Sequence, residues 1–121
     1  GIATYKWISG IANIPYLRLA EMYLIRAEGN FIMGTNVGAT PLNDVNTVRR
    51  RSSAFSLSSL RYVDIILERL KELAFEGQRL HDFRRLEIPV GDLNYDDPRL
   101  VLPIPQRERN VNPNLSQNDG Y

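Results

Sequence analysis

The chain has 121 residues, room for one domain that buries roughly two thirds of its unfolded surface. Apolar residues make up 43% and charged residues 24%, the balance of a globular protein and not of a disordered one. Fifteen basic side chains stand against fourteen acidic ones, so no overall field steers nucleic acid, and the lack of cysteine excludes disulfides, thiolate metal sites and a cysteine nucleophile.

No run approaches the roughly 20 apolar residues of a membrane span. Residues 1–15 hold β-formers (Ile2, Tyr5, Trp7, Ile8, Ile11) interrupted by Gly10 and Pro15, which predicts an irregular lead-in or short strand. From Pro15, Tyr16, Leu17, Ala20, Tyr23, Leu24, Ala27 and Phe31 recur at steps of three and four, with Arg18, Glu21 and Glu28 on the other side. That spacing predicts a helix of about 17 residues, stopped by Gly34. A turn leads to Pro41 and a second helix through Leu42, Val45, Asn46, Val48 and Arg49. The serine-rich stretch SSAFSLSS reads as a loop. A third helix capped by Ser58 or Ser59 follows, its buried stripe being Val63, Ile66, Leu67, Leu70, Leu73 and Ala74, with a break expected near Gly77. The first helix pair spans about 35 residues, near the tetratricopeptide period.

Beyond Leu86 the character changes. Residues 87–121 hold five of the seven prolines and show no helical period, which predicts an extended tail ordered by lying against the helices. Leu100 to Ile104 is a candidate strand or packed clip. The expected fold is mainly α: antiparallel helix pairs over 16–86 with a wrapping tail over 87–121, a single domain or fragment.

The densest charge lies in ELAFEGQRLHDFRRL, residues 72–86. Two carboxylates converging on one bond would suit a glycosidase. On one helix, however, Glu76 and Asp82 point about 120° apart with roughly 9 Å of rise between them. Glu76, Arg79, Asp82 and Arg85 instead alternate in sign at steps of three, while Glu72 and Glu76 share a face and require a cation between them. Glu72, Glu76, Arg79, Asp82 and Arg85 are therefore expected to form a structural ion-pair motif. His81, the single histidine, has no partner type for a metal. Arg49, Arg50 and Arg51 fan out over 200° of a helix and make no single phosphate surface. DLNYDD (92–97) begins like a calcium loop but has Asp97 where glycine is required and Pro103 in place of the closing glutamate. No metal, cofactor or nucleic acid is expected. Tyr5 and Trp7 are the candidate carbohydrate-binding residues, since flat apolar faces with polar edges suit sugar rings, although a tryptophan such as Trp7 more often caps the core of a helical bundle.

Four phrases resemble, in order, the C-terminal part of the SusD/RagB family: YLRLAEMYLIRAE (16–28), VNTVRRR (45–51), ERLKELAFEGQRLHDFRRL (68–86) and LPIPQRERNVNPNLSQNDGY (102–121). Leu80 and Leu86 stand where that family often has tryptophan, Arg109 where an aliphatic is common, and Asp119 replaces a proline. The resemblance implies a helical fold built partly on tetratricopeptide-like pairs. It implies non-catalytic capture of oligosaccharides or peptides at the cell surface, and delivery to a TonB-dependent outer-membrane transporter. It further implies an outer-membrane lipoprotein whose lipidated cysteine lies outside this chain, so that the chain reads as a C-terminal portion. The rival expectation is a tetratricopeptide-like scaffold for a protein or peptide. An orphaned repeat face would expose apolar surface, so self-association is also expected.

Overall fold

The computed structural model describes residues 17–121. The expected lead-in, the Pro15 helix start and the pair Tyr5 and Trp7 lie outside the described residues. The described chain is mainly α, with helices α1 (Leu19–Met33), α2 (Pro41–Arg51), α3 (Tyr62–Glu72), α4 (Arg79–Arg85) and α5 (Gln106–Val111) and a 3-10 turn at Pro98–Leu100. Among the described residues there is no strand, only an isolated bridge between Val90 and Leu93. Two compact units divide between Gln78 and Arg79.

In the first unit, α1 forms because LAEMYLIRAEGNFIM is rich in strong helix formers. It ends at Gly34, whose φ of 64° is the left-handed conformation that glycine adopts without penalty. The Thr35 N–H then bonds the Asn30 carbonyl at 2.9 Å. α2 starts where Pro41 fixes the first turn and the Thr40 hydroxyl accepts the Asn43 N–H at 3.2 Å. α1, α2 and α3 meet in a core of Ala20, Leu24, Ala27, Val45, Val48 and Ile65, with Tyr23, Leu57 and Leu60 packed against it.

Four expectations change. Leu17 precedes α1 and is 71% exposed, whereas Glu28 is buried and not on a solvated side. α3 begins at Tyr62, and neither Ser58 nor Ser59 caps it: the Asp64 carboxylate accepts the Arg61 N–H at 2.9 Å and closes the first turn. The buried positions of α3 are Ile65, Glu68 and Glu72, with Leu73 just beyond its end, while Val63 and Leu67 are exposed. The stripe is rotated because the carboxylates are drawn inward by cations on neighbouring helices. Finally, the tail is not simply extended, since it contains the 3-10 turn and α5.

In the second unit, α4 ends at Arg85 and the Ile88 N–H bonds the Phe83 carbonyl at 2.9 Å. The Asp97 carboxylate caps the 3-10 turn by accepting the Arg99 N–H at 2.9 Å. The Gln117 amide grips Ile104 from both sides, accepting its N–H at 2.7 Å and donating to its carbonyl at 3.1 Å. Asn118 donates to the Leu102 carbonyl at 2.7 Å and the Tyr121 hydroxyl to the Arg99 carbonyl at 2.9 Å. These bonds fold the chain end back onto the proline-rich stretch, where prolines cannot donate for themselves.

Candidate functional site

The charged stretch 72–86 falls on both units and takes a different form in each. On α3, Glu68 and Glu72 lie one turn apart, facing inward. Like charges at that spacing repel, and α2 supplies the cations that reverse this. Arg49 meets Glu68 at 2.7 Å, and Arg51 meets Glu72 at 2.5 Å. Lys71 adds a weaker contact to Glu68 at 3.9 Å. Arg18, at the entry to α1, binds Glu76 at 2.6 Å and donates to the Glu72 carbonyl at 3.2 Å. Arg69 reaches Glu21 of α1 at 3.3 Å. Every one of these pairs joins two elements distant in sequence except Lys71–Glu68, so together they fix the mutual placement of α1, α2 and α3.

In the second unit, Arg85 donates to the buried Asp82 at 2.8 Å, and the Arg79 guanidinium lies 4.1 Å from the centre of the Phe83 ring. Glu76 thus turns to Arg18 at the entry to α1, and Arg79 to an aromatic face one turn along its own helix. Arg50 reaches only to the Thr47 hydroxyl, so the three consecutive arginines of α2 divide their work.

Sequence patterns missed several buried polar groups. Asp44 is fully buried and receives Arg26 in a two-pronged grip of 2.8 and 2.6 Å, which holds the arginine's pKa above its ordinary value. Gly38 makes room for this arginine, since a Cβ there would lie 2.6 Å from the guanidinium nitrogen. The Tyr62 hydroxyl donates to Glu28 at 2.7 Å. Asn30, also buried, uses its whole amide: it donates to the Val37 and Ala39 carbonyls and accepts from the Thr35 hydroxyl and the Val37 N–H. For the inward carboxylates of α3 the available signal was the acidic spacing 68, 72, 76, which repeats every turn as strictly as an apolar stripe does.

Elsewhere, Arg61 lowers the pKa of Asp64 through its side-chain hydrogen bonds, and Arg99 lowers that of Asp97 to about 2 by the same means. In the aborted calcium-type loop, Asn94 donates to Asp96 at 2.6 Å, and no group of three metal-ligating side chains exists among the described residues. A small apolar groove of about 270 Å³ opens between α1 and α2, lined by Leu19, Ala20, Tyr23, Thr47, Val48 and Arg51. No helix among the described residues is long and apolar enough to cross a membrane.

Carboxylates spent on guanidinium partners that bridge α1, α2 and α3 define a helical scaffold whose charges hold its shape. The chain belongs to the SusD family, whose description matches residues 5–100. Proteins of this family are non-catalytic binding proteins. The chain is similar to the starch-binding protein SusD of Bacteroides thetaiotaomicron, with 31% identity over 123 residues, covering 90% of this chain and 22% of that protein. It therefore spans about a fifth of the length of that relative.

Proposed function

We propose that the chain is part of a non-catalytic protein that captures glycans at the cell surface and delivers them to a TonB-dependent outer-membrane transporter. The observation that carries this reading is membership of the SusD family together with similarity to a protein named for binding starch. In this reading the helices are tetratricopeptide-like pairs that serve as scaffold, the protein is a lipoprotein of the outer-membrane surface, and Tyr5 and Trp7 stack on sugar rings. Glu72, Glu76, Arg79, Asp82 and Arg85 form the ion-pair framework and do not touch the ligand. The pairing of Glu72 with Arg51 of α2 and of Glu76 with Arg18 at the entry to α1 supports that assignment.

Affinity electrophoresis in starch-containing gels, with a peptide library as competitor, tests the ligand class. Retardation by starch is the expected result; capture of peptides with no retardation by any glycan would replace the reading with a peptide scaffold. Trp7→Ala is expected to abolish retardation with unchanged helix content. Arg79→Ala is expected to lower the melting temperature and leave glycan affinity alone. The opposite outcome for Arg79 would move it from framework to ligand contact.

A further inference from the structure

The end of α3 has no local cause. Leu73, Ala74, Phe75 and Glu76 follow it, and leucine, alanine and glutamate are strong helix formers. Gly77 is the first residue that disfavours a helix, yet α3 ends at Glu72. Phe75 moreover takes a left-handed conformation with φ of 66°, which is costly for a residue with an aromatic side chain. A segment that favours helix is held in a strained turn.

A remote side chain stands where the next helical bond would form. In a continuing helix the Glu72 carbonyl accepts the Glu76 N–H. Here that carbonyl accepts from Arg18 Nη2 at 3.2 Å, and the Glu76 N–H turns to the Leu73 carbonyl at 3.2 Å. The same nitrogen holds the Glu76 carboxylate, 2.6 Å from Oε1 and 2.7 Å from Oε2. One guanidinium nitrogen thus takes both the acceptor of the next turn and the side chain of its donor residue. The last carbonyls of a helix lack intrahelical partners, and a charged donor satisfies one of them strongly. Arg51 differs, because it reaches Glu72 through the carboxylate.

We infer that Arg18 is a clamp that ends α3 and holds residues 73–78 in a strained turn, a two-state element whose other state is one further turn of α3. In the helical state Phe75 is relieved of its strain and the grip of Arg18 on the Glu72 carbonyl is lost, so the guanidinium sets the balance between the two. The segment ends at Gln78, the last residue of the first unit. The clamp therefore decides whether the chain reaches the end of that unit as a turn or as a helix.

NMR of the chain and its variants tests this, through Cα shifts and through the intraresidue Hα–HN cross-peak, which is strong where φ is positive. Phe75 of the parent chain is expected to show the strong cross-peak. Arg18→Ala is expected to weaken it, to bring the shifts of 73–76 to helical values, and to lengthen α3 from 11 residues by one turn, about 4 residues. A contact that only stabilised the fold would act in the opposite direction, since its loss removes helix. Arg51→Ala, which breaks an ion pair to the same Glu72, is expected to leave Phe75 left-handed. Phe75→Gly, which suits the turn, is expected to cancel the gain of helix in the Arg18→Ala background. Should Arg18→Ala fail to fold, Glu76→Gln decides, since it weakens the grip on residue 76 and is expected to move the same signals part of the way. Phe75 left-handed in both Arg18→Ala and Glu76→Gln overturns the inference. So does loss of order at 73–78 without added helix, or the same lengthening of α3 in Arg51→Ala.

Discussion

Asn30→Ala removes four hydrogen bonds at once and is a sharp test of how the α1–α2 connection is held. Its amide donates at 3.0 Å to the Val37 carbonyl and 3.1 Å to the Ala39 carbonyl, and accepts at 2.7 Å from the Thr35 hydroxyl and 3.1 Å from the Val37 N–H. A typical intramolecular hydrogen bond contributes about 1 kcal/mol net. Val37 is exposed, so both of its backbone groups regain water in the variant and contribute little to the loss. Ala39 and Thr35 are half-buried and regain less. Deletion therefore costs about 2–3 kcal/mol, and alanine's better helix propensity returns about 0.5 kcal/mol. The net expectation is a loss of about 2 kcal/mol, read from urea unfolding followed by helix circular dichroism with an unchanged slope. Asn30→Asp keeps both accepted bonds but sets a carboxylate oxygen against two carbonyls; it is expected to be at least as damaging at neutral pH and milder in acid. A loss below about 0.5 kcal/mol for Asn30→Ala would refute the reasoning, because it would mean that water replaces the whole amide.

Leu24→Ala empties a fully buried position in the core and is expected to cost about 2–5 kcal/mol in the same assay. Arg49→Ala leaves the buried Glu68 with only the weaker Lys71 contact and is expected to cost about 1–3 kcal/mol, whereas Arg50→Ala, which loses only a contact to Thr47, stays within about 0.5 kcal/mol. For Asp97 the folded pKa of about 2 lies below the unfolded value of 3.8. Its stabilisation is thus fully present above pH 3.8 and lost as pH falls through about 2. An NMR titration of that carboxyl is expected to show the low midpoint, and Arg99→Ala is expected to bring it back up. Gln117→Ala is expected to speed amide exchange at Ile104, whose N–H it holds at 2.7 Å, and to leave exchange on α1 unchanged.

The helix starts and stops with a local cause were legible in the sequence. Gly34 ends α1 through its own backbone, and Pro41 opens α2 through its ring. Both signals act within four residues and need no tertiary partner. The errors arise where the cause is remote. Glu68 and Glu72 displaced Val63 and Leu67 from the inner face of α3 because Arg49 and Arg51 wait for them on another helix. A polarity scale cannot place a carboxylate inside unless it also places its cation. Glu28 follows the same logic through Tyr62, thirty-four positions away. α5 escaped because six residues are too few to establish a period.

That inversion bears on how the unit divides its interactions. Apolar residues are diverted to the outer face of α1, and part of the interior is given to ion pairs. Pairs this poorly exposed, such as Arg49 with Glu68, resist salt screening far better than Arg61 with Asp64 at the surface. They also discriminate by geometry in a way that apolar contact does not, since sliding α2 by one turn along α3 would break the matching of Arg49 to Glu68 and of Arg51 to Glu72. The charged stretch of α3 therefore sets the register of the three helices. The small aliphatic core supplies attraction that is tolerant of position, and the arginines supply the reason for one arrangement over its neighbours.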